Sequence, residues 1–264
     1  MGRSTKASSA SAPEQAPGGK NLGSYVYGIV LAETKVAPGR RGLGDPAGEV
    51  KLVEHGRIAA LVSDVDVHRP LDRADDLRTH EELLDEMAAK GPVLPFRFGA
   101  VLANPGSVVT ELLAPHHDAY LAKLGDLRGS AEYVVEGRYD ERAVLAEILA
   151  ESPEAVRLRA AVHGTSEDAT GPERARLDEI VTASIEAKRD LDTLLLLDGL
   201  SGHYTRAALL DPSDERDAVH VALLAEADDR EGLERALTEF GERWEGRVEL
   251  RLLGPMAPYD FVTV

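Results

Sequence analysis

The chain has 264 residues, a formal net charge of -17, 43% hydrophobic and 29% charged residues, and no cysteine. That length makes one large domain or two of ordinary size, with the composition of a soluble globular protein. The acid excess argues against nucleic acid and anionic lipid as partners, and the missing cysteine excludes disulfides, thiolate metal sites and cysteine nucleophiles.

Residues 1–22 are rich in Ser, Ala, Pro and Gly without an apolar core, which predicts a disordered tail rather than a secretion signal. No apolar run approaches the roughly 20 residues a bilayer helix needs; the longest candidate, Leu191 to Leu200, is broken by Asp192 and Asp198. A cytoplasmic protein is expected. Aromatics make up only 5% of the chain, so its cores are expected to be built from Leu, Val, Ala and Ile.

Tyr25-Val26-Tyr27-Gly28-Ile29-Val30-Leu31 reads as the first strand, β-branched and aromatic after turn residues. Pro38 to Pro46 reads as a loop; its GRRGLG run lacks the order of a dinucleotide fingerprint and no helix pattern follows. Val50 to Glu54 and Arg57 to Val65 form a predicted hairpin turning at His55-Gly56. Thr79 to Lys90 is a predicted helix with Leu83, Leu84 and Met87 on one stripe, stopped by Gly91-Pro92.

Val93 to Val101 reads as a short apolar strand. Pro95 places it at an edge, a bulge or a strand start, since proline cannot donate to a ladder. On a strand Phe96 and Phe98 share one face and Arg97 points the other way. Two accounts of Arg97 stand: a solvated or ion-paired side chain on an amphipathic edge, or an anchor that orders a loop or grips a partner.

Val108 to Leu124 is helical and carries His116 and His117, which point about 100° apart and are ill placed for joint ligation. A second unit then begins: a strand at Ala131 to Tyr139, a helix at Glu141 to Leu149, and a long helix at about 172–200. In that helix Leu177, Ile180, Val181, Ser184, Ile185, Lys188, Leu191 and Leu195 mark a stripe of helical period. Strands at Tyr204 to Leu210 and Ala218 to Leu224 flank an Asp-Pro-Ser-Asp turn, and a helix at Asp228 to Trp244 and a strand at Arg247 to Leu253 follow. The expected fold is α+β: a 23–125 domain and a 126–264 domain, each a sheet with helices on one face and ferredoxin-like elements. The second carries the long helical insertion and a C-terminal tail at 254–264.

Catalytic patterns are weak. Asp64, Asp66 and His68 alternate on one face and are metal-ligand types, but need a further ligand, for which His80 or Glu81 are the candidates. Ser201-Gly202-His203 lacks a nucleophile elbow. No enzyme and no cofactor are expected; a metal-dependent hydrolase using Asp64, Asp66 and His68 is the competing enzyme reading.

Three segments resemble the gas vesicle protein family GvpF/GvpL: Tyr25 to Val30 its YxYGI-type opening strand, Val93 to Gly99 its VLPxRFG-type middle strand, and Gly254 to Phe261 its GPWPPYxF-type close. Met256 stands where the family has Trp, and Ala257 where it has Pro. The resemblance implies a non-enzymatic accessory protein of gas vesicles, the hollow protein-walled flotation organelles. It would be a minor shell component or assembly factor that binds the small hydrophobic shell protein (GvpA), with other gas vesicle accessory proteins as further partners. Phe96, Arg97 and Phe98, with Pro258, Tyr259 and Phe261, are the candidate protein-binding residues. They either form an apolar contact patch, or pin the C-terminal segment to the N-terminal sheet, or simply close the cores. A general chaperone-like or regulatory adaptor is the alternative.

Overall fold

The computed structural model describes residues 22–71, 73–166 and 170–262. The expected disordered tail lies outside the described residues except for Leu22, which opens the first strand.

Two antiparallel sheets organise the chain. The first comprises β1 (Leu22–Leu31), β4 (Lys51–His55), β5 (Ile58–Asp66), β6 (Val93–Pro95) and β7 (Val101–Leu102), in the order β4-β5-β1-β6 with β7 also on β1. A small separate ribbon pairs β2 (Arg41–Gly44) with β3 (Ala47–Glu49), so the segment expected to be a loop contains strand. β1 and β5 are buried on both faces, which explains their near-continuous apolar sequence. Helix α1 (Ala74–Ala88) covers one face with Leu83, Leu84 and Met87. Leu113, Tyr120 and Leu124 cover the other; they come from a helical run made of α2 (Pro105–Ser107), a π-helical turn (Val108–Leu113) and α3 (Ala114–Asp126). This sheet therefore carries helices on both faces rather than one.

The expected strand at 93–101 is two short strands separated by a loop. β6 ends at Pro95, and β7 returns to the same edge of β1, Val101 facing Tyr25. The Phe96 N–H still donates to the Tyr27 carbonyl (2.9 Å) and the Val26 N–H to that of Ala100 (2.8 Å), so only residues 97–99 leave the edge. Gly28 allows this close pairing, because a Cβ there would lie 2.6 Å from the Leu94 carbonyl oxygen. Gly99, at φ +102°, supplies the left-handed turn that brings the chain back.

The second sheet has the order β11-β8-β10-β9, from β8 (Ser130–Tyr139), β9 (Arg206–Leu209), β10 (Asp217–Glu226) and β11 (Val248–Met256). One face packs on α4 (Glu141–Glu151), α6 (Gly171–Gly199) and α7 (Arg230–Glu242). Its other face sends Val134, Ala222 and Leu224 into the core that also holds Val26, Ile29, Tyr120 and Leu124, so one apolar core joins the two sheets. α5 (Pro153–Val162) was not expected. Its signal is local: the Ser152 hydroxyl accepts from the Ala155 N–H (3.2 Å) and Pro153 occupies the first turn.

The long helix appears at the expected place, but its C-terminal half turns a different face inward. Asp192, Thr193 and Leu196 are buried, while Leu191 and Leu195 of the expected stripe are exposed. The cause is a charged group from far along the chain. Arg247 reaches Asp192 (2.8 Å) and Glu147 (2.7 Å), and the Tyr139 hydroxyl donates to Asp192 (2.6 Å).

Candidate functional site

The loop at 96–99 is fastened from beneath by a neutral hydrogen-bond relay. His80 lies one turn before Leu83 and Leu84 on the buried stripe of α1 and is 1% exposed. Its Nε2 is 3.0 Å from the Phe96 carbonyl, its Nδ1 2.9 Å from the Tyr25 hydroxyl, and the Gly99 N–H donates to that hydroxyl (3.1 Å). A carbonyl only accepts, so Nε2 carries the proton, Nδ1 accepts from Tyr25, and every member is satisfied with the imidazole neutral. Burial lowers the His80 pKa in the same sense, opposed by the Phe96 carbonyl. Rings close the arrangement: Phe98 lies 5.7 Å and Tyr259 6.4 Å from His80, and Tyr27 stacks on it at 5.7 Å.

The C-terminal segment is held by two carboxyls, one half-buried on α1 and one buried on β8. Asp85 of α1 accepts from the Ala257 N–H (2.8 Å) and Glu132 of β8 from the Asp260 N–H (3.1 Å). Burial pushes the Glu132 carboxyl up to about 8, against the Asp260 N–H bond and reinforced by the Asp260 and Asp85 charges. Glu132 therefore carries a proton at neutral pH. Burial also raises Asp85. Phe261 enters the core shared by the sheets, with the Arg206 guanidinium 5.2 Å from its ring.

The six candidate residues therefore separate. Phe98 and Tyr259 meet around His80, Phe96 and Phe261 enter the shared core, and Pro258 is buried. Phe96 and Phe98 do not share a face as an unbroken strand requires, because strand geometry ends at Pro95 and the next residues turn to opposite sides of the sheet. Arg97 alone points into solvent, and it makes no hydrogen bond or ion pair among the described residues. The result is a hydrogen-bonded, aromatic-backed loop that presents Arg97 unpaired among the described residues of a strongly acidic protein.

The metal-ligand candidates do not converge. Asp64 pairs with Lys51 (3.1 Å), Asp66 accepts from the His68 N–H (3.0 Å), and His80 is occupied in the relay. Among the described residues no group of three or more His, Asp or Glu side chains is placed to hold a metal. His117 accepts from the Arg57 N–H (3.3 Å) and so supports the β4–β5 hairpin. His203 pairs with Asp229 at 3.2 Å.

Asp85 and Glu132 carry no motif in the sequence, Tyr25 enters there only as part of the first strand, and His80 only as a candidate metal ligand. Two of them left a pattern: His80 extends the Leu83, Leu84 and Met87 stripe, and Glu132 shares a strand face with Val134. An ionisable residue in register with an apolar face is a buried polar group in search of a partner.

Among the described residues no helix is long and apolar enough to cross a membrane. A family model described as "Gas vesicle synthesis protein GvpL/GvpF" matches residues 23–263. Gas vesicle protein F of a Streptomyces strain is 33% identical over 249 residues, covering 91% of this chain and all of the relative. Gas vesicle protein L2 of Halobacterium salinarum is 28% identical, covering 90% and 91% of the two chains. In fold the chain is similar to the crystal structure of GvpF from Anabaena, with a TM-score of 0.74 at 21% identity over 92% of this chain and 98% of that one. GvpF from Microcystis aeruginosa gives 0.73 at 20% identity, over 92% and 99% of the two chains. With its opening strand, Arg97 loop and C-terminal segment all inside the matched span, the chain belongs to the GvpL/GvpF family of gas vesicle synthesis proteins.

Proposed function

We propose that this chain is a cytoplasmic assembly factor or minor shell component of gas vesicles that binds the small hydrophobic shell subunit, with other gas vesicle accessory proteins as further partners. The observation that carries the reading is Arg97, held out unpaired on a loop whose backbone is tied at both flanks by the His80–Tyr25 relay. A preorganised cation loses little entropy on meeting a partner's carboxylate or carbonyl groups. Apolar backing comes from two sides: Phe98 with Tyr259 around His80, and the half-buried Phe96 with Phe261 in the shared core, Pro258 being buried next to Tyr259 in the chain. The physical need is clear: a shell subunit with a large apolar face aggregates until assembled, and an acidic partner covering that face or a free strand edge suppresses this.

The test is capture of the purified shell subunit by the wild-type protein, beside Arg97→Ala and Tyr259→Ala variants checked for folding by circular dichroism. The expected outcome is capture by wild type and loss in Arg97→Ala. Failure of the wild type to capture the subunit at any salt concentration overturns the reading. Equal capture of unrelated apolar clients favours a general chaperone-like adaptor instead.

A further inference from the structure

The outward face of α6 has no partner among the described residues. Leu191, Leu194 and Leu195, spaced i, i+3 and i+4, are 62%, 65% and 55% exposed. Single exposed leucines are ordinary, but three on one helical face form a contiguous apolar patch of the kind that marks an interaction site. The patch is a consequence of how α6 is held. Asp192 must face inward to meet Arg247 and Tyr139, and Lys188 to meet Glu147 (3.2 Å) and Glu151 (2.8 Å), so the leucines flanking Asp192 are turned to solvent.

Along the helix itself the charge beside the leucines has one sign. Asp190 and Asp198 are exposed on the same helix at either end of the leucines, and no lysine or arginine occurs from Asp190 to Thr205. The nearest cations toward the N-terminus are committed: Lys188 to two glutamates, and Arg189 to the Asp217 and Glu215 carbonyls at 2.7 and 3.1 Å.

We infer that this face of α6 is a docking surface for a short amphipathic helix of a partner protein, with an apolar stripe flanked by lysine or arginine. Leucines at helical spacing between two carboxylates complement such a helix, which lays its apolar side on the patch and its cations on Asp190 and Asp198. A second copy of this chain is a poor occupant. It would bring acid against acid on a chain of net charge -17. Three leucines also fall well short of the roughly 800 Å² per partner that a stable dimer buries. The inference is independent of the Arg97 loop.

The experiment uses the full chain and a fluorescein-labelled synthetic peptide of about 18 residues, leucines on one helical face and lysines flanking them, read by anisotropy. A second peptide has glutamate for every lysine. The protein variants are the triple L191Q/L194Q/L195Q, at exposed positions where folding is retained, and the double D190K/D198K, which leaves the leucines untouched. The expected result is an increase in Kd of about tenfold or more in the triple variant, a severalfold increase in the double, and no binding of the glutamate peptide. Undiminished binding by the triple variant means that overall acidity alone holds the peptide, and overturns the proposal. Equal binding of the glutamate peptide overturns it too. So does wild-type self-association in sedimentation velocity that the triple variant abolishes, which assigns the face to a second copy. If the triple variant misfolds, the double decides: undiminished binding by D190K/D198K overturns the inference.

Discussion

Two polar networks, one buried and one partly buried around Asp192, work in opposite ways in this molecule. Beneath the Arg97 loop, Tyr25, His80 and the backbone of Phe96 and Gly99 form a relay with no formal charge. Beneath α6, Arg247, Asp192, Glu147 and Lys188 form a charged network closed by the Tyr139 hydroxyl. The neutral relay fixes a short loop and aims its side chain outward. The ionic one decides which face of a 29-residue helix is buried. Removing one charge from a desolvated set strands the others, whereas removing a neutral member leaves one or two unsatisfied groups, so the networks differ in cost and in response to pH.

The largest effect is expected at the ionic network. Arg247→Met leaves the Asp192 carboxylate buried without its cation and should destabilise the fold by about 3–5 kcal/mol in urea denaturation. A loss below about 1 kcal/mol would mean that Tyr139 and Lys188 suffice, removing the reason given for the orientation of α6.

Next in size is Glu132. Its folded pKa of about 8 lies above the ordinary 4.5, so the folded state binds the extra proton between those values. Its stability contribution is full below pH 4.5 and is lost as pH rises to about 8. Glu132→Gln, a permanently neutral carboxyl mimic, should therefore gain on wild type as pH rises, by an amount on the order of 2–4 kcal/mol near pH 8.5. Parallel stability curves for the two proteins between pH 5 and 8.5 would refute a protonated Glu132.

His80 has the opposite sign. Its folded pKa is below the ordinary 6.5, so the unfolded chain takes up the extra proton; the contribution is full above pH 6.5 and is lost as pH falls below it. His80→Leu should cost about 2 kcal/mol at pH 7, remove that acid-side loss, and speed amide exchange at Gly99 and neighbouring loop positions. Unchanged exchange at Gly99 would mean the relay does not order the loop. Arg97→Ala is the smallest expected effect, within about 0.5 kcal/mol by thermal denaturation, because its side chain has no partner to lose among the described residues.

Much of the architecture was legible from local pattern. Strand periodicity places β1, the β4–β5 hairpin and β8, and a 3.6-residue period places α1 and α6, because these signals are written within a few residues of one another. Pro95 and Gly99 mark a departure from a regular strand, whereas strict alternation through Phe98 puts Phe96 and Phe98 on one face, which the loop at 97–99 prevents. The ribbon at 41–49 escaped for a related reason: its glycines and arginines read as loop, and Leu43 is held by its N–H bond to the Tyr27 hydroxyl (2.8 Å), a contact 16 residues away.

The sequence alone determined the α+β class, the position of most elements and, through the three motif segments, the family. Each of these depends on spacing within a short stretch of chain. Only the tertiary structure decided which polar groups are paired and therefore which faces are buried. Asp192 turns inward because Arg247, 55 residues later, meets it there, and the adjoining leucines turn outward as a result. His80 becomes a neutral hub because Tyr25 and the Phe96 carbonyl converge on it, and Ala257 is anchored by an Asp85 carboxyl 172 residues earlier. Local periodicity ranks faces by apolarity, but a buried charge is tolerated only beside its counter-charge, and the partners here are brought together by the folded chain.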